Sequence, residues 1–281
     1  VVTQPDKPKG RGKALQFPPV KETALEYGLT VYQPERVKEE SFVATLRELK
    51  PDVIVVVAFG QILSKAILEL PRYGCVNVHA SLLPKYRGAA PIQWAVINGD
   101  KISGVTTMQM DVGLDTGDML LKTEVELAED ETGGSLFDKL STLGGALLIE
   151  TLEKIEAGDI HPEKQDDSQA GEYARTLDKA LGNVDFTKSA VEIERLIRGL
   201  NPWPSAYTFY NGKTMKLWKA EVVSGGNVTP GQIFSVDKQS FTVQTGDGAL
   251  RILELQLEGK KRMDAGAFLR GCAVAVGEML G

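Results

Sequence analysis

The sequence predicts an α/β protein in two folded parts. A doubly wound, Rossmann-like parallel sheet occupies residues 1–175 and a small OB-like β-barrel occupies residues 204–281, with a helical linker at 176–203 between them. Three observations predict this. Short apolar runs alternate with helix-period segments up to residue 175, as in a parallel sheet wrapped by helices. Residues 191–200 (Ile193, Leu196, Ile197, Leu200) then form one short amphipathic stretch, halted by Asn201, Pro202, Trp203 and Pro204. Beyond it, short strand-like runs are separated by Gly, Asn and Asp turns, the spacing of a small all-β barrel. A chain of 281 residues has room for two domains at roughly 100–200 residues each.

The elements follow in order. Residues 52–60 are a continuous run through Val53, Ile54, Val55, Val56 and Val57, ended by Gly60, as a strand covered on both faces requires. Residues 61–70 place Ile62, Leu63, Ala66, Ile67 and Leu70 at helical spacing before Pro71. Cys75–His79 is a second strand, 90–98 a helix ended by Gly99, 105–110 a third strand and Met119–Glu126 another. Residues 135–157 align Leu136, Leu140, Leu143, Leu147 and Leu148 and stop at Gly158, one long amphipathic helix. The C-terminal strands are expected at 214–223, 231–236, 241–245 and 250–257. Ligands of a doubly wound sheet bind beyond the carboxyl ends of its strands.

Composition narrows the function classes. Hydrophobic residues at 42% and charged residues at 25% are ordinary for a globular protein. No apolar run approaches the ~20 residues that span a bilayer, so no membrane partner is expected. Cys75 and Cys272 lie far apart and read as separate thiols. The net charge of −6 is unevenly spread: residues 1–175 carry 19 Lys/Arg against 27 Asp/Glu, whereas residues 204–281 carry 9 against 7. The acidic total argues against indiscriminate nucleic-acid binding, but local basic patches can attract phosphate. Val1, Val2 and Thr3 read as the tail of a strand, which leaves a preceding segment open.

Candidate chemistry centres on the strand Cys75–His79. Alternation puts Val76 and Val78 on one face and Asn77 and His79 on the other. Two polar side chains ending a central strand either pair with each other or line the crevice where ligands bind. Residues 111–118 add Asp111, Asp115 and Asp118 between two strands. Their spacing is not that of a Ca²⁺ loop, and read alone they are an acidic turn. With two histidines in the chain, a zinc site is not expected, and His161, in a presumed surface loop before Pro162, is assigned no role. Gly10, Arg11 and Gly12 match neither a dinucleotide fingerprint nor a P-loop. They sit in a basic segment with Lys7, Lys9 and Lys13, read either as a mobile solvated loop or as a phosphate-contacting arm.

The segment Asn77, Val78, His79, Ala80, Ser81, Leu82, Leu83, Pro84, Lys85, Tyr86, Arg87, Gly88 resembles the formyltransferase family that uses 10-formyltetrahydrofolate, and Leu114 to Asp118 resembles that family's second active-site segment. Residues 3–6 with the basic loop, residues 88–93 with 108–113, and residues 201–204 resemble the branch of the family that acts on aminoacyl-tRNA. The resemblance covers essentially the whole chain, although the family begins with a strand and helix preceding Val1 here, roughly thirty residues if that is one βα unit.

The resemblance implies catalytic Asn77, His79 and Asp115, with Asp115 orienting His79. It implies Ser81, Leu82, Leu83 and Pro84 against the folate, and Lys7, Lys9, Arg11 and Lys13 at the tRNA acceptor end. It implies 10-formyltetrahydrofolate as formyl donor without a metal, initiator Met-tRNA as acceptor, a monomer, and a bacterial cytoplasm or an organelle matrix. A formyltransferase for a sugar-nucleotide amine, or a hydrolase using water, would share Asn77, His79 and Asp115 and stays open at this point. Neither would use the basic loop.

Overall fold

The computed structural model describes residues 1–9 and 14–281. Its first elements are β1 (Lys7–Lys9), β2 (Ala14–Gln16), α1 (Pro19–Glu26), α2 (Glu40–Leu49), β3 (Ile54–Val56), α3 (Lys65–Leu68) and β4 (Cys75–His79). There follow α4 (Pro91–Asn98), β5 (Ile102–Gln109), β6 (Met119–Glu126), α5 (Gly133–Ala157) and α6 (Ala190–Gly199). The remainder is β7 (Ala206–Tyr210), β8 (Lys213–Val223), β9 (Ile233–Val236), β10 (Phe241–Gln244), β11 (Ala249–Leu257), β12 (Met263–Asp264) and α7 (Ala265–Gly271). By contact the chain forms two units. The first is Val1–His79 with Thr106–Lys122 and Leu147–Gln165, and the second is Ala80–Val105 with Thr123–Ala146 and Asp166–Gly281.

The first unit is organised around β4. The strand order is β3-β4-β5-β6, with β3 parallel to β4 and β4 antiparallel to β5. Side chains alternate across the strand, so Cys75 and Val76 face opposite ways. Cys75 packs with Phe42, Val43 and Leu46 of α2 and Ile67 of α3, whereas Val76 packs with Leu120 and with Ile155 of α5. Helices therefore cover both faces, as the apolar periodicity predicts. Burying each such aliphatic side chain is worth roughly 1.5–3 kcal/mol.

The expectation of an all-parallel sheet is corrected: the sheet is mixed, because β5 runs against β4. A parallel return needs a crossover helix packed back on the sheet. The helix in this connection, α4, turns Trp94 and Ile97 toward α6. Ala90, Leu177 and Leu200 gather Trp94, Ile97 and Leu196 into one cluster, and Gly199 of α6 approaches so closely that a Cβ there would lie 2.4 Å from Ile97 Cγ1.

Two further expectations are shortened. The run 52–60 is strand only over Ile54–Val56, and Val55 and Val57 are exposed. β3 ends the described strand order, so it has one paired neighbour, not two. The helix expected at 61–70 is confined to Lys65–Leu68. Gln61 is held as loop by its side chain, which accepts from Val37 N at 2.8 Å and donates to Glu35 O at 3.3 Å.

The second unit contains a separate antiparallel sheet in the order β7-β8-β11-β10-β9, with β12 paired to β11. Its core is formed by Met215, Leu217, Ile233, Phe241, Val243, Leu250, Ile252 and Leu255, sealed by Ile193 and Ile197 of α6 and Phe268 of α7. The sequence signals at its start are local. Ser189 caps α6 in a reciprocal capping box with Glu192, Ser189 N reaching Glu192 Oε2 at 3.0 Å and Glu192 N reaching Ser189 Oγ at 3.3 Å. Strand β7 was not anticipated, although Ala206, Thr208 and Tyr210 alternate inward as a half-buried strand requires.

Candidate active site

The last residues of β4 set the geometry. Asn77 and His79 share a face, and their partners on β5 are Met108 and Thr106. His79 is buried and Asn77 is half-buried. Among the described residues, no side-chain hydrogen bond engages the Asn77 amide, so its N–H groups remain available to a ligand at the strand end.

The loop after β5 carries Asp115. Asp111 organises its first half, accepting from Gly113 N at 3.0 Å and from Thr116 Oγ1 at 2.8 Å. Asp118 O accepts from Gln109 N at 2.8 Å, which ties the far end of the loop to β5. Gly117 is required by close approach: a Cβ there would lie 1.7 Å from Gln109 O. Asp115 itself has φ +56, a left-handed backbone uncommon for non-glycine residues, though aspartate is among those that adopt it most readily. The result is a carboxylate 3.8 Å from the ring of His79, Oδ2 to Nδ1, with side chains 15% and 6% exposed. That separation is ion-pair range, longer than a direct hydrogen bond. A carboxylate beside Nδ1 favours one ring orientation, and an imidazole at a strand end can exchange a proton near neutral pH.

Gln165 is a contributor the sequence reading missed. Its amide Nε2 donates to the carbonyls of both Asp115 and Gly117, each at 2.8 Å. It lies fifty residues downstream of Asp115, just past the bridge between Met119 and Glu163. No local motif marks it, and only its contacts reveal it.

The remaining predicted residues fall as follows. Ser81, Leu82, Leu83 and Pro84 open the second unit. Ser81 and Leu83 are buried, Ser81 Oγ donates to Lys85 O at 2.6 Å, and the Leu83–Pro84 peptide is cis. Gly104 admits Leu82 closely, with an added Cβ falling 2.5 Å from Leu82 Cδ2. This loop continues into Tyr86, whose hydroxyl accepts from Asn98 Nδ2 at 2.9 Å, and Lys85, which pairs with Asp100 at 2.7 Å. Lys7 and Lys9 do not lie in a loop: they form β1, paired antiparallel with β2, and Lys7 is exposed. Arg11 and Lys13 lie outside the described residues. His161 is exposed beside Asp159 and joins no site. Among the described residues no group of His, Cys, Asp or Glu is arranged to hold a metal ion.

Comparison with known proteins bears on this geometry. A formyl transferase family model matches residues 1–152, and the C-terminal domain model of the same family matches residues 176–273. A methionyl-tRNA formyltransferase from Agathobacter rectalis is 61% identical over 99% of this chain and 89% of its own length. The chain belongs to the methionyl-tRNA formyltransferase family. A second member of that family, from Clostridioides difficile, is 54% identical over 100% of this chain and 91% of its own. Among solved structures, HypX from Aquifex aeolicus in complex with tetrahydrofolic acid aligns with a TM-score of 0.62 at 19% identity, covering 88% of this chain and 43% of HypX. An N-formyltransferase from Helicobacter canadensis aligns with a TM-score of 0.61 at 18% identity over 82% of this chain and 81% of its own. At those identities the structures share the fold with the methionyl-tRNA formyltransferase family and nothing more specific.

Proposed function

We propose that the protein transfers the formyl group of 10-formyltetrahydrofolate to the α-amino group of methionine on initiator Met-tRNA. The observation that carries this reading is the His79–Asp115 pair at the end of β4, in a chain 61% identical over 99% of its length to a methionyl-tRNA formyltransferase.

The acceptor amine needs little activation, since an α-amino group titrates near 7.7–8.0 and loses its proton cheaply at neutral pH. Its attack on the formyl carbon places negative charge on the formyl oxygen. Asn77, half-buried and with its amide uncommitted, donates an N–H to that oxygen, and one such donor is typically worth about 3 kcal/mol. His79, oriented by Asp115, carries the proton released by the amine toward the folate nitrogen as the bond from carbon to that nitrogen breaks. Ser81, Leu82, Leu83 and Pro84 hold the folate. Lys7, Lys9, Arg11 and Lys13 hold the acceptor end of the tRNA.

In this reading residues 1–175 are the catalytic part, 176–203 a linker and 204–281 an OB-like barrel that follows the tRNA backbone by shape and charge. The gap between the two family models, at 153–175, supports a division near there. The protein acts as a monomer, in a bacterial cytoplasm or an organelle matrix, and its bacterial relatives support the first compartment.

The test is formylation of Met-tRNA by the purified protein with 10-formyltetrahydrofolate, alongside Asp115→Asn. Formyl-methionyl-tRNA formed by the parent, with turnover cut severely in Asp115→Asn at nearly unchanged folate affinity, is the expected result. A sugar-nucleotide amine as the preferred acceptor, or formate released with no acceptor, would overturn the assignment.

A further inference from the structure

We infer that Gln165 is a positioning residue for the formyl-transfer reaction, clamping the Asp115 backbone so that its carboxylate faces His79; this rests on the role proposed above for Asp115. Asp115 occupies a left-handed backbone at φ +56, which aspartate tolerates better than most residues but which contacts from neighbours reinforce. The Gln165 amide supplies that hold with both of its N–H groups, one on Asp115 O and one on Gly117 O, each at 2.8 Å. The two carbonyls flank Thr116, and fixing both removes the freedom of the intervening peptides to flip. Asp111 pins the same loop from its other half through Gly113 N and Thr116 Oγ1, but those bonds act ahead of and beside Asp115, not on its own carbonyl.

The chemistry selects an amide. Two carbonyl oxygens converging on one group require two donors and no negative charge. A carboxylate at 165 would meet both carbonyls with lone pairs, a methionine would fill the volume without donating, and an asparagine would fall one methylene short. The Asp115–His79 separation of 3.8 Å leaves little room for error, because a further shift lets solvent between the two groups. Misplacement of a catalytic group by about 1 Å can cost on the order of 100-fold in rate.

The experiment measures kcat and KM for both substrates in the purified protein carrying Gln165→Met, Gln165→Glu, Asp115→Asn, and the Gln165→Met/Asp115→Asn pair, with melting temperatures for each. We expect Gln165→Met to lower kcat by about 10- to 100-fold with KM for the folate changed by less than about threefold and folding retained. Gln165→Glu should lower kcat at least as far as Gln165→Met, again with KM for the folate changed by less than about threefold, because an ionised carboxylate offers no donor and sets negative charge against two carbonyl oxygens. The double variant should turn over no more slowly than Asp115→Asn alone, since both changes remove one function. Full activity in Gln165→Met, or additive losses in the double variant, overturns the positioning role. Full activity in Asp115→Asn instead overturns the underlying site reading, so the two failures are separable. Should Gln165→Met fail to fold, Gln165→Glu decides: kcat within about threefold of the parent refutes the inference.

Discussion

Gly117→Ala is the substitution whose effect the structure specifies most closely. Gly117 has no left-handed φ, so alanine suits its backbone and the whole effect is steric. The new Cβ would lie 1.7 Å from Gln109 O and 2.9 Å from Gln109 C, against ordinary van der Waals contact beginning at 3.4 Å. The gap must therefore open by about 1.7 Å. Gln109 belongs to β5 and pairs with Val76 of the buried strand β4, so the loop yields and not the sheet. Its retreat strains the bonds on either side, Gln109 N to Asp118 O and Gln165 Nε2 to Gly117 O, both 2.8 Å. Asp115, two residues away, is carried off His79. A displacement near 1 Å at a catalytic group corresponds to about 100-fold in turnover. Overpacking of this kind costs roughly 1–3 kcal/mol, and at ~2–4 °C per kcal/mol for a chain of this order the melting temperature falls by roughly 2–12 °C. Steady-state formylation of Met-tRNA and a thermal melt followed by circular dichroism measure both. A variant that melts lower yet keeps kcat within about threefold of the parent would refute the argument that this close approach positions Asp115.

Replacing Lys7, Lys9, Arg11 and Lys13 together with alanine should raise KM for tRNA and flatten the salt dependence of its binding by roughly 0.7–0.9 in log–log slope per lost phosphate contact. Filter binding at several salt concentrations checks this, and an unchanged slope retires the tRNA-arm role. Gly145→Ala is expected to stabilise, because Gly145 lies inside α5 and an added Cβ meets nothing within 4 Å. A gain of about 0.4–1 kcal/mol in chemical denaturation is the expected size, and a loss would contradict it.

Glu131→Gln addresses acid stability. Burial alone would raise the Glu131 carboxyl, but Lys139, the Ser135 hydroxyl and Ala128 N outweigh it and hold the group below its ordinary value. The folded form is thus the stronger acid, so the charge contributes stability above the ordinary carboxylate range and loses it as pH falls through the folded value. The variant should be roughly 1–2 kcal/mol less stable at pH 7, with the difference shrinking in acid; a pH-independent difference would refute the pairing. Cys75 is buried with its thiol pushed up to about 11 by desolvation, so a thiol reagent near pH 8 should leave it unlabelled until the protein unfolds.

Much of this architecture was legible in one dimension. Strand β4 was readable because Cys75 to His79 is a short β-branched segment entered from Gly74, and its period of two already placed Asn77 and His79 on one face. Helix α5 was readable because Leu136, Leu140 and Leu147 repeat at helical spacing and Gly158, at φ +70, ends it. Strand β6 was placed residue for residue for the same local reason. Helices α1 and α2 and the terminal α7 were not anticipated, although Phe42, Val43 and Leu46 give α2 a buried stripe once it is seen.

What tertiary structure alone decided is the set of relations between segments remote in sequence. The antiparallel direction of β5 is set by its pairing with β4, and α4 between them meets α6, about a hundred residues onward. Lys7–Lys9 pairs antiparallel with Ala14–Gln16 by backbone contacts that leave no periodic pattern in these short strands, so their charges concealed it. Gln165 reaches Asp115 across fifty residues with an amide identical to any other glutamine's. Local order follows from periodicity and the stereochemistry of glycine and proline, which the chain carries at each position. The alignment of an aspartate with a histidine depends on packing, a property of neighbours in space that no window along the chain contains.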